Sequence, residues 1–255
     1  MLHSFISSLG AYIVLVLDSF GILFSKPPKW VLVQEQLFII GVMSLPVVAI
    51  TGFSTGLVLA AQSFFQLSDK GLTAATGLMV AKAMITELGP ILTAFMVTGR
   101  MGSAMCAELG TMQVSEQVDA LRSMAVNPIR YLVVPRIVGG TIMLPFLTIF
   151  SVLVGILGGY LISVYIFKMS PASYFDAMPV NITYFDCLTG LIKSFVFGFF
   201  FSTICCYKGI NTQGGAAGVG RATTSSVVIC YSIILVVNFL ITFGLNLLRT
   251  NSFSP

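Results

Sequence analysis

The stretch IVGGTIMLPFLTIFSVLVGILGGYLISVYIF, residues 137–167, contains no Asp, Glu, Lys, Arg or His. It is longer than the roughly 20 residues an α-helix needs to cross about 30 Å of hydrocarbon. Two further runs, Gln36–Ser68 and Ala222–Leu248, are equally free of charge. Of the 255 residues, 56% are hydrophobic and 9% charged, whereas a soluble domain carries roughly 25% charged residues. Nine acidic and thirteen basic side chains cannot cover a globular surface, so the apolar excess must face lipid. The chain therefore reads as a single all-α integral membrane domain over residues 1–255.

Two more spans carry ionisable groups: one near Leu72–Thr98, with Lys82 and Glu87, and one near Asp186–Tyr207, with Lys193. The expected crossings are residues 36–66, 72–98, 131–167, 186–207 and 222–248, five in all. The first is too long to be straight, and Pro46 and Gly52 offer places to break; Pro135 and Pro145 do the same in the third. Ahead of them, residues 1–30 place Leu9, Ile13, Val16 and Phe20 at helical spacing among small polar residues. That pattern suits an amphipathic interfacial helix ending near Lys26-Pro27-Pro28-Lys29, although a sixth crossing stays open. A signal peptide would want a basic start and a small-residue cleavage site, and neither is present.

Basic residues set the orientation. With the loop between spans two and three in the cytoplasm, that side holds Lys26, Lys29, Arg100, Arg122, Arg130, Arg136, Lys208 and Arg221. The other side holds Lys70, Lys168 and Arg249. This obeys the positive-inside rule and puts the carboxyl terminus outside.

Several function classes fall away. The single histidine, His3, excludes multi-histidine metal sites and a Ser-His-Asp triad deeper in the chain. Cys106, Cys187, Cys205, Cys206 and Cys230 form no C-x-x-C pair and read as small hydrophobes. A net charge of +4, scattered along the chain, is no nucleic-acid footprint. No cofactor or metal is expected.

Between spans two and three lies ELGTMQVSEQVDALRSMAVNPIRYLVVPR (Glu108–Arg136). Ser115 reads as an N-cap, with Glu116 and Asp119 favourably placed for the helix dipole. Val118, Leu121 and Ala125 share a face with Arg122 beside them, and Asn127-Pro128 stops the helix, giving a short element over 115–127. It either rests on headgroups or docks a cytoplasmic partner.

The intramembrane charges carry the sharpest hypothesis. An ionisable group at mid-bilayer costs about 2.5–3.5 kcal/mol on insertion scales, so it faces a cavity or a partner. Lys82 and Glu87 lie about 140° apart around a helix and do not share a face. Glu87 is left to meet Lys193 or a facing subunit; alternatively, Lys82 or Lys193 touches a lipid phosphate. A structural pair that orients helices explains them equally well. Pro90, just after Glu87, removes one backbone hydrogen bond and loosens that helix.

Gly52-x-x-x-Gly56-x-x-x-Ala60 and Gly155-x-x-x-Gly159 are small-residue rows that allow close helix packing. Beside the first row, Phe53, Leu57 and Leu59 would also suit an acyl-chain cavity. Gly215–Ala222 nearly spells a phosphate loop, but Arg221 stands for the lysine and Ala222 for the hydroxyl. It reads instead as a tight turn opening the last span.

Glu87–Arg136, ELGPILTAFMVTGRMGSAMCAELGTMQVSEQVDALRSMAVNPIRYLVVPR, resembles the hallmark region of the MlaE/YrbE permeases. GFSTGLVLAAQ (Gly52–Gln62), LIKSFVFG (Leu191–Gly198) and GGAAGVGRATT (Gly214–Thr224) extend the likeness over most of the chain. The resemblance implies a homodimeric ABC-transporter permease that moves phospholipid between inner and outer membranes. It further implies two cytoplasmic ATPase subunits that hold ATP and magnesium, a periplasmic MCE-domain ring, and a STAS-domain protein on the ATPase. The element around Glu116–Val126 would be the coupling helix, and Glu87 and Lys193 both sit inside matched motifs. The implied location is a bacterial inner membrane in preference to a plastid envelope. The alternative is a self-sufficient secondary transporter or channel using Glu87 and the lysines as an ion relay.

Overall fold

A computed structural model describes residues 2–25 and 28–252, with side chains for 6–25 and 28–247. Lys26 and Pro27 and the side chains of His3 and Arg249 lie outside the described residues. Among those described, helix is the only regular structure. Six helical runs are long and apolar enough to cross a membrane: Ile6–Ser25, Trp30–Ser68, Thr73–Val114, Ile129–Ile166, Tyr184–Ile210 and Gly215–Leu247. The five expected spans, 36–66, 72–98, 131–167, 186–207 and 222–248, overlap the last five of these, three of them running one residue past an end. By length and apolarity the amino-terminal helix α1 (Leu2–Ser25) qualifies as a sixth.

The breaks follow local chemistry. Helix α2 (Trp30–Gly41) passes through a 3₁₀ turn at Val42–Ser44 into α3 (Leu45–Ser68). Pro46 occupies the first turn of α3, where its missing N–H has no helical acceptor to lose. Gly52 was expected as a break, but it lies inside an unbroken α3, held there by packing. The second long run comprises α4 (Thr76–Ala83), α5 (Gly89–Val97) and α6 (Ser103–Val114), joined by π turns at Met84–Leu88 and Thr98–Gly102. It continues past the expected end at residue 98. In the next run, a π turn at Ile129–Val133 leads into α8 (Val134–Leu161), which accommodates Pro145 without ending.

The short element between these runs differs from its expected form. Helix α7 covers only Gln117–Ser123. Ser115 is not its N-cap, because its hydroxyl donates back to the Thr111 carbonyl at 2.7 Å. The N-cap position falls to Glu116, whose backbone is left-handed at φ 61°. At the other end Ala125 is left-handed too, at φ 57°. Asn127 does not stop α7; its side-chain oxygen accepts from the Ile129 N–H at 2.9 Å and so caps the following run. Two non-glycine residues with positive φ thus bracket a seven-residue helix, each at a cost of order 1–3 kcal/mol.

After α8 come α9 (Pro171–Phe175) and α10 (Met178–Asn181), then the two long helices α11 (Tyr184–Ile210) and α12 (Gly215–Ser252). The glycine-rich stretch expected as a turn is mostly helix. Only Gly214 and Gly215 turn, with φ values of 89° and 66°, and α12 has begun by Gly215.

The chain divides into two compact units, residues 1–43, 97–143 and 198–234 in the first and 44–96, 144–197 and 235–255 in the second. In the first, α1 runs antiparallel beside α11. Tyr207 donates to the Ser8 carbonyl, Tyr12 and Thr203 share a hydrogen bond, and Phe20 packs on Phe199. Leu15, Leu109, Val118, Leu132, Val133 and Cys206 form the core there. Buried Arg136 donates to the Leu132 carbonyl at 2.8 Å and pairs with Glu108 at 2.9 Å.

In the second unit the small-residue rows of α3 and α8 meet. A Cβ on Gly56 would strike the Gly155 carbonyl, and one on Gly52 would lie 2.7 Å from the Ser151 carbonyl. Gly159 accommodates the side chains of Val80 and Tyr174. Backbones this close leave room for hydrogen only, which is why Gly52, Gly56 and Gly155 carry no side chain.

Candidate functional site

The site lies in the second unit and starts from a proline. Pro90 has no N–H, so the Thr86 carbonyl four residues earlier loses its α-helical partner. The Lys193 ammonium of α11 takes that place, donating to the Thr86 oxygen at 2.9 Å. Close approach makes the reach possible: a Cβ on Gly190, one turn before Lys193, would collide with the Ile85 carbonyl.

The same ammonium stands 2.6 Å from Oε1 of Glu87. Lys193 has no exposed side-chain surface, whereas Glu87 remains 35% exposed. From α12, Asn238 Nδ2 donates to Glu87 Oε2 and Thr242 Oγ1 donates to Glu87 Oε1, both at 3.2 Å. One carboxylate therefore gathers a cation and two neutral donors from two other helices. Asn238 Oδ1 is buried without a hydrogen-bond partner among the described residues. The π turn Met84–Leu88 presents Glu87, as such turns often do for functional groups.

Lys82 takes no part. It reaches Asp186 at 3.8 Å, with 43% of its side chain exposed. Asp186 is itself occupied by the start of α11, accepting the Thr183 N–H at 3.0 Å as the acidic half of a capping box. Lys82 and Glu87 face different partners, as their 140° separation requires.

The apolar candidates divide. Leu59 packs into the cluster of Ala60, Val80 and Met84. Phe53 lies against Gly158, and Leu57 is half-buried. On α12, Leu235, Phe239 and Phe243 are exposed, and most of this helix's apolar stretch is left uncovered by the rest of the described chain.

Asn238 and Thr242 were not anticipated. Their signal was present: Asn238, Thr242 and Asn246 recur at i, i+4 and i+8 within an apolar run, a polar stripe on one face.

In α7, Val118 is fully buried and Leu121 half-buried against the core of the first unit. They seat the helix on its own chain, Val118 with no exposed surface and Leu121 with part of its side chain still open. The exposed positions include Glu116, Asp119, Arg122, Met124 and Ala125. Asp119 and Arg122 pair at 2.9 Å, and Met124 is 72% exposed.

The family model described as Permease MlaE matches residues 33–243. The chain is 43% identical over 218 residues to a Rickettsia conorii protein named "Probable ABC transporter permease protein", covering 85% of this chain and 84% of that one. It is 32% identical over 254 residues to the Haemophilus influenzae protein named "Intermembrane phospholipid transport system permease protein MlaE", covering 95% and 97%. The chloroplastic Arabidopsis thaliana protein trigalactosyldiacylglycerol 1 is 39% identical over 212 residues, covering 83% of this chain and 61% of that one.

Proposed function

The chain belongs to the MlaE permease family, and from that premise we propose that it moves phospholipid between the inner and outer membranes. In this reading it is the membrane subunit of an ABC transporter, and separate subunits bind ATP and magnesium. The observation that carries the reading is the match over residues 33–243, which takes in the Glu87 cluster and α7 together. The glycine-rich stretch supports an outside source of energy, since Arg221 and Ala222 replace the residues that would grip phosphate and magnesium.

The Glu87–Lys193 pair ties α11 and α12 to the π turn. Exchange of the Asn238 and Thr242 hydrogen bonds would free α12, whose exposed Leu235, Phe239 and Phe243 would line the path of the acyl chains. A second copy of the chain, forming a homodimer, would complete that cavity. Helix α7 would be the element that two cytoplasmic ATPase subunits grip, through Glu116, Asp119, Arg122 and Met124. A periplasmic MCE-domain ring would receive the lipid, and a STAS-domain protein would attach through the ATPase. The distribution of Lys and Arg supports an inner-membrane orientation with the carboxyl terminus in the periplasm.

Proteoliposomes holding the chain with its ATPase and MCE-domain partners should transfer labelled phospholipid only when ATP is present. Transfer by the chain alone under an ion gradient would instead support the self-sufficient transporter.

A further inference from the structure

In the first unit, the end of α11 and the start of α12 border a cavity of about 380 Å³ that the transport reading does not use. Its lining includes Ser8, Tyr207, Lys208, Asn211, Arg221 and Ser225. Two cations therefore share one cavity, and among the described residues no Asp or Glu lines it. Among the described residues, neither the Lys208 ammonium nor the Arg221 guanidinium has an ion-pair or hydrogen-bond partner. Lys208 is nevertheless half-buried, and no carboxylate among the described residues lies within ion-pair reach of it.

The walls are fixed independently of those cations. Tyr207 donates to the Ser8 carbonyl at 2.9 Å, Asn211 Nδ2 to the Tyr207 carbonyl at 2.8 Å, and Thr212 Oγ1 to the Lys208 carbonyl at 2.9 Å. Gly214 and Gly215 reverse the chain with positive φ, and a Cβ on Gly218 would strike the Gln213 carbonyl. Gln213 and Gly218, at the start of α12, also line the cavity, so the positive end of that helix's dipole adds to the field of the two cations. The cavity lies where two apolar helices end, the level at which Tyr, Lys and Arg meet lipid headgroups.

We propose that this cavity binds the phosphate of an anionic glycerophospholipid from the adjoining leaflet. Lys208 acts as a point charge, and Arg221 offers its planar fork to the phosphate oxygens. Tyr207, Asn211 and Ser225 supply polar contacts for the glycerol headgroup. A zwitterionic lipid is disfavoured because no carboxylate is present to receive its ammonium. The proposal does not depend on the cargo reading, since Glu87 belongs to the other unit.

The test uses the full chain in phosphatidylcholine nanodiscs doped with phosphatidylglycerol, with retained lipid counted by native mass spectrometry. The wild type and Lys208→Arg/Arg221→Lys should retain phosphatidylglycerol in preference to phosphatidylcholine. Lys208→Gln/Arg221→Gln should lose that preference by about tenfold or more, the scale set by losing charged hydrogen bonds. Ser225→Phe fills the cavity while leaving both charges, and should lower retention as well. Glu87→Gln should leave retention at this cavity unchanged, which separates it from any cargo site. Absence of a preference in the wild type, or its persistence in Lys208→Gln/Arg221→Gln, would overturn the proposal. Full displacement of the lipid by inorganic phosphate would overturn it too. So would a Lys208→Gln/Arg221→Gln protein that keeps its lipid but no longer binds an ATPase partner.

Discussion

Lys193 holds its ammonium 2.6 Å from the Glu87 carboxylate while donating to the Thr86 carbonyl, the group that Pro90 leaves without a helical partner. A backbone defect and a buried charge thus satisfy each other. The pair is asymmetric, because Lys193 is wholly enclosed and Glu87 is about one-third exposed.

That asymmetry predicts unequal single mutants. Glu87→Ala leaves a buried cation without its counter-charge and should destabilise by about 3 kcal/mol, the lower end for breaking a buried pair. Lys193→Met leaves Glu87 with Asn238, Thr242 and some solvent, and should cost about 1–2 kcal/mol. The double variant should be no less stable than Glu87→Ala alone. Thermal unfolding in detergent reads all three, and strict additivity would contradict the pairing.

Close helix packing gives a second expectation. Gly56→Ala drives a methyl into the Gly155 carbonyl, which can yield only by moving backbone, so a loss of about 1–3 kcal/mol is expected. Gly10→Ala, with nothing within 4 Å, should instead gain about 0.5–1 kcal/mol from helix propensity. Equal melting temperatures for the two variants would refute the crossing geometry.

Helix α7 separates seating from docking. Val118→Asp buries a charge in the first unit's core and should unfold that region. Met124→Asp and Asp119→Lys alter exposed positions and should leave stability within about 0.5 kcal/mol, yet weaken association with an ATPase subunit in pull-downs. Glu116→Gly should raise stability by about 1 kcal/mol by relieving a left-handed residue. Unchanged association in both surface variants would remove α7 from the coupling role.

Tyr174 supplies a pH signature. Burial pushes its phenol up from the ordinary value of 10.0, while its hydroxyl donates to the Ile156 carbonyl at 3.2 Å. The folded chain therefore holds this proton more tightly than the unfolded chain does. Its contribution is complete below about pH 10 and is lost as pH rises towards the higher folded value. Tyr174→Phe should cost about 1 kcal/mol at neutral pH and flatten that alkaline loss. Denaturation scans against pH measure both effects.

Charge scarcity made most of the fold legible. Uncharged runs marked three of the long apolar helices, and the angular separation of Lys82 and Glu87 argued against a shared face. Glu87 and Lys193 were visible because charge is rare in such runs. Asn238 and Thr242 carry a weaker signal because neutral polar residues stand out less, although their i, i+4 spacing marks a face. Periodicity placed Val118 and Leu121 on one face of α7, but it does not say whether that face looks inward. Ser115 and Asn127 failed as boundary signals for a common reason. A hydroxyl can bond back to the preceding turn, and an Asn can cap the helix after it as readily as stop the one before it. The left-handed Glu116 and Ala125 left no sequence signal, since neither is the glycine such a backbone favours.

The most direct test of the central claim is ATP-driven phospholipid transfer by the reconstituted complex carrying Glu87→Gln, compared with wild type at equal ATPase-subunit occupancy. The account predicts intact assembly with transfer reduced at least about tenfold, the loss expected when one charge-assisted interaction of roughly 1.4 kcal/mol is removed from the limiting step. Wild-type transfer by that variant, with Lys193→Met equally active, would contradict it.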